Sequence, residues 1–277
     1  MGDGKQLRTC IAEFRPFSGR GHSLGRLIRG VDRQFNAYLA RRGIRRNSVS
    51  FYMRILRAVY NKAVRKRLAE PSNPFRQVYT GIDKTRKRSI DEKMIVCLYN
   101  LALPSDTPLV LTRDLFIFSY CTRGMVFVDM AYLKKSDIQD SFIRYARHKS
   151  GQQLCIRIEP HVRQIIDRYA DASAVYVFPI LKTEDSAEAF AQYRITLNRY
   201  NRQLSRLSGM LHPDCGVSLS SYAARHNWAT IARQHKAPIA VVSAGMGHAS
   251  ERTTQIYLAE LENSETDAAN QMIIGDM

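Results

Sequence analysis

Two short stretches of alternating apolar and polar residues interrupt a chain whose other regular segments repeat their apolar residues every three or four positions. They are SFIRYAR (141–147) and QLCIRIE (153–159), and the second places Leu154, Ile156 and Ile158 on one face. Such alternation is typical of a half-buried strand, and the intervening HKSGQ is short enough to form a hairpin turn. The chain is therefore predicted to be mainly α, of the α+β class, with one small antiparallel sheet.

The helical spacing is clearest in the N-terminal third. Residues 24–42 form one amphipathic pattern that ends at Gly43, and NSVSFYMRILRAVYNKAVRKR (47–67) forms a second. Asn47 or Ser48 is predicted to cap the second helix. Its apolar stripe is predicted to consist of Val49, Met53, Leu56, Tyr60 and Ala63. Further helices are predicted over 108–121, 125–133, 221–234, 238–245, 251–260 and 264–274, with one beginning at Pro160 and one ending near Leu204 and Leu207.

The positive charge of the chain is concentrated at one end. The net charge of +17 belongs entirely to residues 1–90, since residues 91–277 hold equal numbers of basic and acidic side chains. A block this basic is expected to meet a polyanion, and nucleic acid is the most common one. The alternative is a solvated or ribosome-associated basic segment, but the regular helical pattern of the block favours a folded nucleic-acid-binding domain.

Within that block, three arginines share a face of the second helix. Arg54, Arg57 and Arg65 are spaced so that they lie away from the apolar stripe. Such a face can contact phosphates along a groove, which positions a protein on DNA without reading its sequence. A merely solvated charged face is the alternative.

The segment PSNPFRQVYTGIDKTRKRSIDE breaks the helical pattern with prolines and a glycine. We interpret residues 83–90 as an interdomain linker that follows DNA, between a basic helical domain (1–82) and a second domain (91–277). A capping box, Ser89-x-x-Glu92, is predicted to open the next helix. The basic residues of the linker are Lys84, Arg86, Lys87 and Arg88.

Several classes of protein are disfavoured. The five cysteines are scattered without a C-x-x-C pair, which indicates neither a zinc site nor a disulfide framework and favours a reducing cytoplasm. The N-terminal residues lack the apolar region of a signal peptide, and no apolar run approaches the roughly 20 residues that span a bilayer. We expect a protein that is not bound to membranes.

Four residues of the C-terminal part carry groups suited to chemistry on a phosphodiester. Lys149 lies in the predicted hairpin turn, Arg225 at the start of a helix, His248 after GMG, and Tyr257 nine residues later. Each has an ordinary explanation: a solvated lysine, a helix-capping histidine, a packed tyrosine. Together they supply what metal-free phosphoryl transfer needs, namely a nucleophile, an acid and a fixed cation on the phosphate oxygens.

Ser220 and Ser221 are predicted to cap the helix that begins near Arg225. A cation at this end of a helix opposes the helix dipole unless an anion binds there.

The order Arg225, Gly247-His248 and Tyr257 resembles the C-terminal signature of the tyrosine recombinase (phage integrase) family. SFYMRILRAVYNKAV resembles the family's SAM-like core-binding domain, KTRKRSIDE its interdomain linker and KSG its catalytic hairpin, so that the resemblance covers residues 20–275. The resemblance implies an N-terminal core-binding domain and a mostly helical catalytic domain.

The resemblance also assigns roles residue by residue. Tyr257 matches the nucleophile that forms a 3′-phosphotyrosyl bond, and Arg225 the second catalytic arginine. Lys149 matches the lysine that protonates the 5′-hydroxyl leaving group, and His248 the position that hydrogen-bonds the phosphate. Because the phosphotyrosyl bond conserves energy, neither a cofactor nor a metal is implied.

Two positions depart from the family pattern. Tyr222 stands where a histidine is usual, and a phenol with a pKa of about 10 is a poor base near neutral pH. The first catalytic arginine would align with Val126, and we expect Arg123 to replace it, since three helical residues rise only about 4.5 Å. Both departures resemble a branch carried by mobile and invertible elements of anaerobic gut bacteria.

The implied protein is a site-specific recombinase that integrates, excises or inverts double-stranded DNA. It is expected to be a homotetramer on DNA and a monomer or weak oligomer without it, and to lie in the bacterial cytoplasm, associated with the nucleoid. The alternatives are a catalytically decayed DNA-binding or architectural factor and a type IB topoisomerase. Residues 263–274 carry an apolar face that packs either on a neighbouring protomer or on its own domain. The arm-binding domain that many integrases add is not evident, so the resemblance implies a simple recombinase or a shortened chain.

Overall fold

The chain divides into two compact units, Met1–Arg86 and Lys87–Met277. In this computed structural model the structure describes residues 35–76, 78–81, 83, 90–211, 219–248 and 254. The predicted linker residues 84–89 and the predicted helix over 264–274 lie outside this range. The predicted helices over 24–42 and 251–260 lie partly outside it, the first being described from Phe35 onward and the second only at Thr254.

The N-terminal unit packs helix α1 (Asn36–Arg41) against helix α2 (Arg46–Arg65). Between them Gly43 takes a φ of +70°, which is the left-handed conformation expected just after a helix end. The predicted apolar stripe of α2 faces the core, because residues at 3–4 spacing share one side of a helix. The buried side chains of this core are Phe35, Leu39, Val49, Met53, Tyr60, Phe75 and Val78.

The start of α2 differs from the prediction. The N-cap is Arg45 without a side-chain cap, so neither Asn47 nor Ser48 caps the helix. The Asn47 amide instead binds the backbone of Asp83, donating to its carbonyl at 2.9 Å and accepting from its N–H at 2.7 Å. A tertiary partner distant in sequence therefore satisfies the side chain that local rules assign to the cap.

The C-terminal unit is mostly helical. Its elements are α3 (Glu92–Tyr99), α4 (Pro108–Cys121), α5 (Phe127–Ala131), a 3₁₀ helix (Lys135–Asp137), β1 (Ile138–Gln139), β2 (Phe142–Ala146), β3 (Gln153–Arg157), α6 (Pro160–Arg168), α7 (Ser186–Leu211), α8 (Ala223–Gln234) and α9 (Ile239–Met246). Helix α4 has the predicted bounds. The helix predicted over 125–133 is shorter, because Val126 is extended and serves as its N-cap.

Helix α3 is capped differently from the prediction. Its N-cap is Asp91, whose carboxylate accepts from the Lys93 N–H at 3.2 Å. Ser89, the predicted cap, lies outside the described residues. An aspartate at this position supplies both the capping oxygen and a negative charge that suits the positive helix end.

The sheet has three antiparallel strands in the order β1-β2-β3. The predicted hairpin is confirmed, with Ile143 opposite Ile156 and Tyr145 opposite Leu154. Strand β1 was not predicted, because two residues are too few to show a period. The pairing puts Ile143, Ile156 and Ile158 into the core of the unit, as the alternation indicates.

The core of this unit surrounds α4, which is apolar on most of its circumference and is therefore covered on several sides. Leu115, Phe116, Ile117 and Phe118 are all buried. The Phe118 and Phe178 rings meet edge to face, with centroids 4.8 Å apart. The end of α4 is consequently held in place, and the turn after it carries Arg123 and Gly124.

Candidate active site

Arg225 lies in the first turn of α8 with its side chain only 3% exposed. Its guanidinium donates to the Gly124 carbonyl at 2.9 Å and to the Met246 carbonyl at 2.6 Å. The carbonyl groups of two other segments therefore stabilise the positive charge of Arg225. Their interaction offsets the unfavourable interaction of that charge with the positive N-terminal end of the helix dipole of α8. Burial, and then the positive charge of Arg147, lower the pKa of this guanidinium.

The serines predicted to cap α8 do not do so. The N-cap is Tyr222, and no side chain caps this end. Ser220 contributes its backbone carbonyl, which accepts from the Ala223 N–H at 2.9 Å. Tyr222 itself is 47% exposed, and its hydroxyl lies close enough to Arg225 to affect the pKa of the guanidinium.

Gly124 makes room for Arg225. A Cβ atom on Gly124 would lie 2.6 Å from the Arg225 Cα and 2.8 Å from its Cβ, and the φ of Gly124 is +72°. Any other residue would both overlap the backbone of α8 and strain its own, so the turn after α4 can approach α8 only with glycine here.

Arg123 also takes a positive φ, +59°, and its side chain follows a different course from that of Arg225. Its Nη1 lies 3.5 Å from the Cys155 carbonyl of β3. Arg123 is thus near the site but directed at the sheet edge. Val126, where the family arginine would align, is the uncharged N-cap of α5.

His248 follows the end of α9. Its Nδ1 is 2.7 Å from the Thr254 hydroxyl, and Thr254 is completely buried. Burial, followed by the positive charges of Arg225 and Arg147, lowers the pKa of His248 to about 4. His248 is therefore neutral near pH 7 and acts in hydrogen bonding rather than as a cation.

Lys149 occupies the tip of the β2–β3 hairpin and is exposed. The turn is closed by Arg147 and Gln152, whose N–H and carbonyl are 2.9 Å apart, and Gly151 takes a φ of +70°. This is the hairpin position predicted from the sequence. Tyr257, the predicted nucleophile, lies outside the described residues.

Sequence reasoning missed Arg147, which follows β2 directly. Its side chain is 11% exposed, donates to the Gly247 carbonyl and places Nε 3.9 Å from a carboxylate oxygen of Asp129. A signal was present in SFIRYAR, because the alternation that buries Ile143 and Tyr145 directs Arg147 to the same face.

Asp129 is the carboxylate that faces this group of arginines. Its other oxygen accepts from the His148 N–H at 2.9 Å, and burial raises its pKa. Burial also raises the pKa of Tyr145, whereas the charges of Arg147, Arg225 and Arg123 each oppose that rise. The positive charges of three arginines therefore act on Tyr145.

The predicted DNA-binding residues of the N-terminal unit fall into two sets. Arg57 and Arg65 are exposed on α2, while Arg54 is half-buried with its guanidinium 5.8 Å from the centre of the Phe51 ring. The linker residues Lys84, Arg86, Lys87 and Arg88 lie outside the described residues.

Neither a metal cluster nor a membrane-spanning helix occurs in the described part of the chain. Within those ranges, no three His, Cys, Asp or Glu side chains are grouped to hold a metal ion. None of the helices seen there is both long enough and apolar enough to cross a bilayer.

Comparison with known proteins relates both units to one family. The Phage integrase family profile matches residues 101–264, and the Phage integrase SAM-like domain profile matches residues 2–80. No curated protein sequence is significantly similar to the chain.

Solved structures share the fold at low sequence identity. A lambda integrase dimer bound to a COC′ core site matches with a TM-score of 0.66 and 13% identity, over 91% of this chain and 88% of that one. XerH recombinase bound to a palindromic difH substrate matches with a TM-score of 0.69 and 13% sequence identity, over 99% of this chain and 80% of that one. The Tn1549 transposon integrase in complex with a circular intermediate DNA matches with a TM-score of 0.61 and 14% sequence identity, over 95% of this chain and 92% of that one. With a SAM-like domain ahead of a mostly helical domain with a three-stranded sheet, the chain belongs to the phage integrase family.

Proposed function

We propose that the protein is a site-specific DNA recombinase that cuts and rejoins DNA through a 3′-phosphotyrosyl intermediate. The observation that carries the proposal is the bond from buried Arg225 to the Met246 carbonyl, two residues before neutral His248, in a chain of the phage integrase family. A fixed guanidinium and a neutral hydrogen-bonding imidazole suit a phosphate on which charge develops.

In the proposed reaction, the Tyr257 hydroxyl attacks the scissile phosphorus, and its proton passes to the neutral imidazole of His248 or to water. The bond from phosphorus to the 5′ oxygen breaks, and Lys149 gives a proton to that leaving oxygen. Arg225 neutralises the non-bridging oxygens while His248 and Tyr222 hydrogen-bond to them. A 5′-hydroxyl of the exchanged strand then attacks the phosphorus of the phosphotyrosyl ester and gives its proton to Lys149. The bond from phosphorus to Tyr257 breaks, the phenolate regains the proton that it gave up, and the DNA backbone is restored.

We propose that residues 1–82 bind DNA as a core-binding domain and that residues 83–90 link this domain to the next. Residues 91–277 are proposed to form the catalytic domain. The basic charge of the N-terminal third and the exposed Arg57 and Arg65 support this division. The substrate is proposed to be the duplex DNA of the nucleoid, in the bacterial cytoplasm. Lambda integrase was solved as a dimer on DNA, and we propose that two such pairs, four protomers, form the synapse here.

A nicked duplex of the repeats that flank the gene tests this proposal. Nicking near the cleavage position lets the cleaved fragment diffuse away, so the wild-type protein should accumulate a covalent complex on a denaturing gel. Tyr257→Phe should form none. Equal trapping by the two proteins, or no trapping by wild type, would contradict the proposal.

The second candidate is a catalytically decayed, DNA-binding protein. It is favoured by Val126 and Tyr222, which replace an arginine and a histidine of the family pattern. It predicts that wild type and Tyr257→Phe bind the repeats equally and that neither becomes attached to them.

A further inference from the structure

The C-terminal end of α9 receives two guanidinium groups. Arg225 donates to the Met246 carbonyl, and Arg147 donates to the carbonyl of the next residue, Gly247. Met246 and Gly247 are consecutive, so the two guanidinium groups lie at the same end of α9, near enough for the charge of Arg147 to lower the pKa of Arg225.

Backbone capping of α9 involves other carbonyls than the two that bind these arginines. The His248 N–H binds the Ser243 carbonyl at 3.0 Å and the Gly247 N–H binds the Ala244 carbonyl at 2.9 Å, with Gly247 in the left-handed conformation. This backbone pattern satisfies the Ser243 and Ala244 carbonyls. The Met246 and Gly247 carbonyls lie outside it and accept from the two arginines, but their partial negative charge is too small to balance two cations.

Gly247 gives Arg147 access to this position. A Cβ on Gly247 would lie 3.0 Å from Cδ of Arg147 and 3.1 Å from the methyl carbons of Leu154. The left-handed glycine therefore both ends α9 and leaves space for the Arg147 side chain, which enters from the hairpin.

The charges at this point do not balance. Asp129 faces Arg147, but at 3.9 Å its oxygen is beyond hydrogen-bond distance of Nε. Within the described residues, the Nε atoms of Arg147 and Arg225 are both buried without a hydrogen-bond partner. Two buried guanidiniums with unused donors and one carboxylate leave net positive charge, which is costly unless an anion completes the group.

We infer that Arg147 is a further catalytic residue, whose guanidinium contacts a non-bridging oxygen of the scissile phosphate beside Arg225. The inference rests on the proposed function, and it gives Arg147 the role that alignment with the family gives to the position of Val126. Arg123 is less suited to that role, because its guanidinium extends to the Cys155 carbonyl at the sheet edge.

The test measures formation of the covalent complex on the nicked repeat duplex. Arg147→Ala should slow it by about 100-fold, the usual effect of losing one fixed donor to a developing oxyanion. Arg147→Lys, which keeps the charge but loses the planar fork, should fall between Arg147→Ala and wild type. Arg144→Ala is the matched control, since Arg144 is exposed on the opposite face of the same strand and should cleave like wild type.

A methylphosphonate at the cleavage position separates contact from structure. Removing the negative charge of the phosphate removes the need for its partner, so Arg147→Ala should regain rate relative to wild type on this substrate. A variant that is merely unfolded would gain nothing. Wild-type cleavage rates for Arg147→Ala, or equal slowing on both substrates, would overturn the inference.

Stabilisation by a bound anion tests the inference even if the wild-type protein does not cleave DNA. Sodium sulfate, compared with sodium chloride at equal ionic strength, should raise the melting temperature of wild type and Arg144→Ala more than that of Arg147→Ala. Sulfate protection that survives in Arg147→Ala contradicts the anion site. Absence of cleavage by wild type, with the sulfate difference intact, contradicts the proposed function alone.

Discussion

The Cβ position of Gly124 lies 2.6 Å from the Cα atom of Arg225, so the turn after α4 and the first turn of α8 are in backbone contact. This contact delivers the Gly124 carbonyl to the Arg225 guanidinium. It also means that the site depends on a glycine that takes no part in the chemistry.

Gly124→Ala is predicted to destabilise the C-terminal unit by about 3 kcal/mol, because the methyl group would overlap α8 and the φ of +72° is unfavourable for alanine. Chemical denaturation measures the change. Two glycines act as controls, since added Cβ atoms would meet nothing within 4 Å at Gly151, with a φ of +70°, and at Gly209, inside α7.

Gly151→Ala should cost only the conformational strain, about 1 kcal/mol, and Gly209→Ala should be neutral or stabilising by up to about 1 kcal/mol. Equal effects of Gly124→Ala and Gly151→Ala would show that the close approach to Arg225 is not what requires glycine.

His248 is predicted to make stability depend on pH. Its pKa is lowered from 6.5 to about 4 in the folded chain by burial, then by Arg225 and Arg147. Between these values the unfolded chain binds a proton that the folded chain does not, so this contribution to the free energy of unfolding is complete above pH 6.5 and is lost as the pH falls towards 4.

His248→Gln, which cannot titrate, isolates this effect. Denaturation of both proteins at pH 7.5 and pH 5 should show wild type losing more stability than the variant on acidification. Equal losses in the two proteins would mean that the folded-state pKa of His248 is not lowered.

Thr254 is predicted to orient His248. Its buried hydroxyl lies 2.7 Å from Nδ1, and the hydrogen bond between them fixes the ring and its tautomer. Thr254→Val keeps the shape but removes the bond, and covalent-complex formation should slow by about tenfold, the rate equivalent of one bond worth about 1.4 kcal/mol. Thr254→Ser keeps the hydroxyl and should stay close to wild type; slowing by serine as large as by valine would point to packing instead.

Arg57 is predicted to contact a DNA phosphate from the exposed face of α2. Arg57→Ala should weaken binding to the repeat duplex and reduce the slope of log K against log salt concentration by about 0.9. Arg194→Ala, an exposed arginine of α7 outside the proposed DNA-binding set, is the control. An unchanged salt slope in Arg57→Ala would remove Arg57 from the interface, and the affinities should be measured at several salt concentrations.

The helix caps are a feature that the local sequence does not predict reliably. Asn47, Ser48, Ser220 and Ser221 have the right side chains and positions, yet Arg45 and Tyr222 begin the helices. Any of several adjacent residues can begin a helix at similar cost, so a single tertiary contact, such as that of Asn47 with Asp83, decides between them.

Among the described residues, the sequence by itself determined most of the helices, the hairpin and the local settings of Arg225, Lys149 and His248, because hydrophobic period and turn chemistry are properties of neighbouring residues. The tertiary structure decided which arginines meet. Arg225 binds Gly124 across 101 residues and Arg147 binds Gly247 across 100. Such contacts follow from how the hairpin and α9 pack, and periodicity can orient Arg147 towards the core without saying what it meets there.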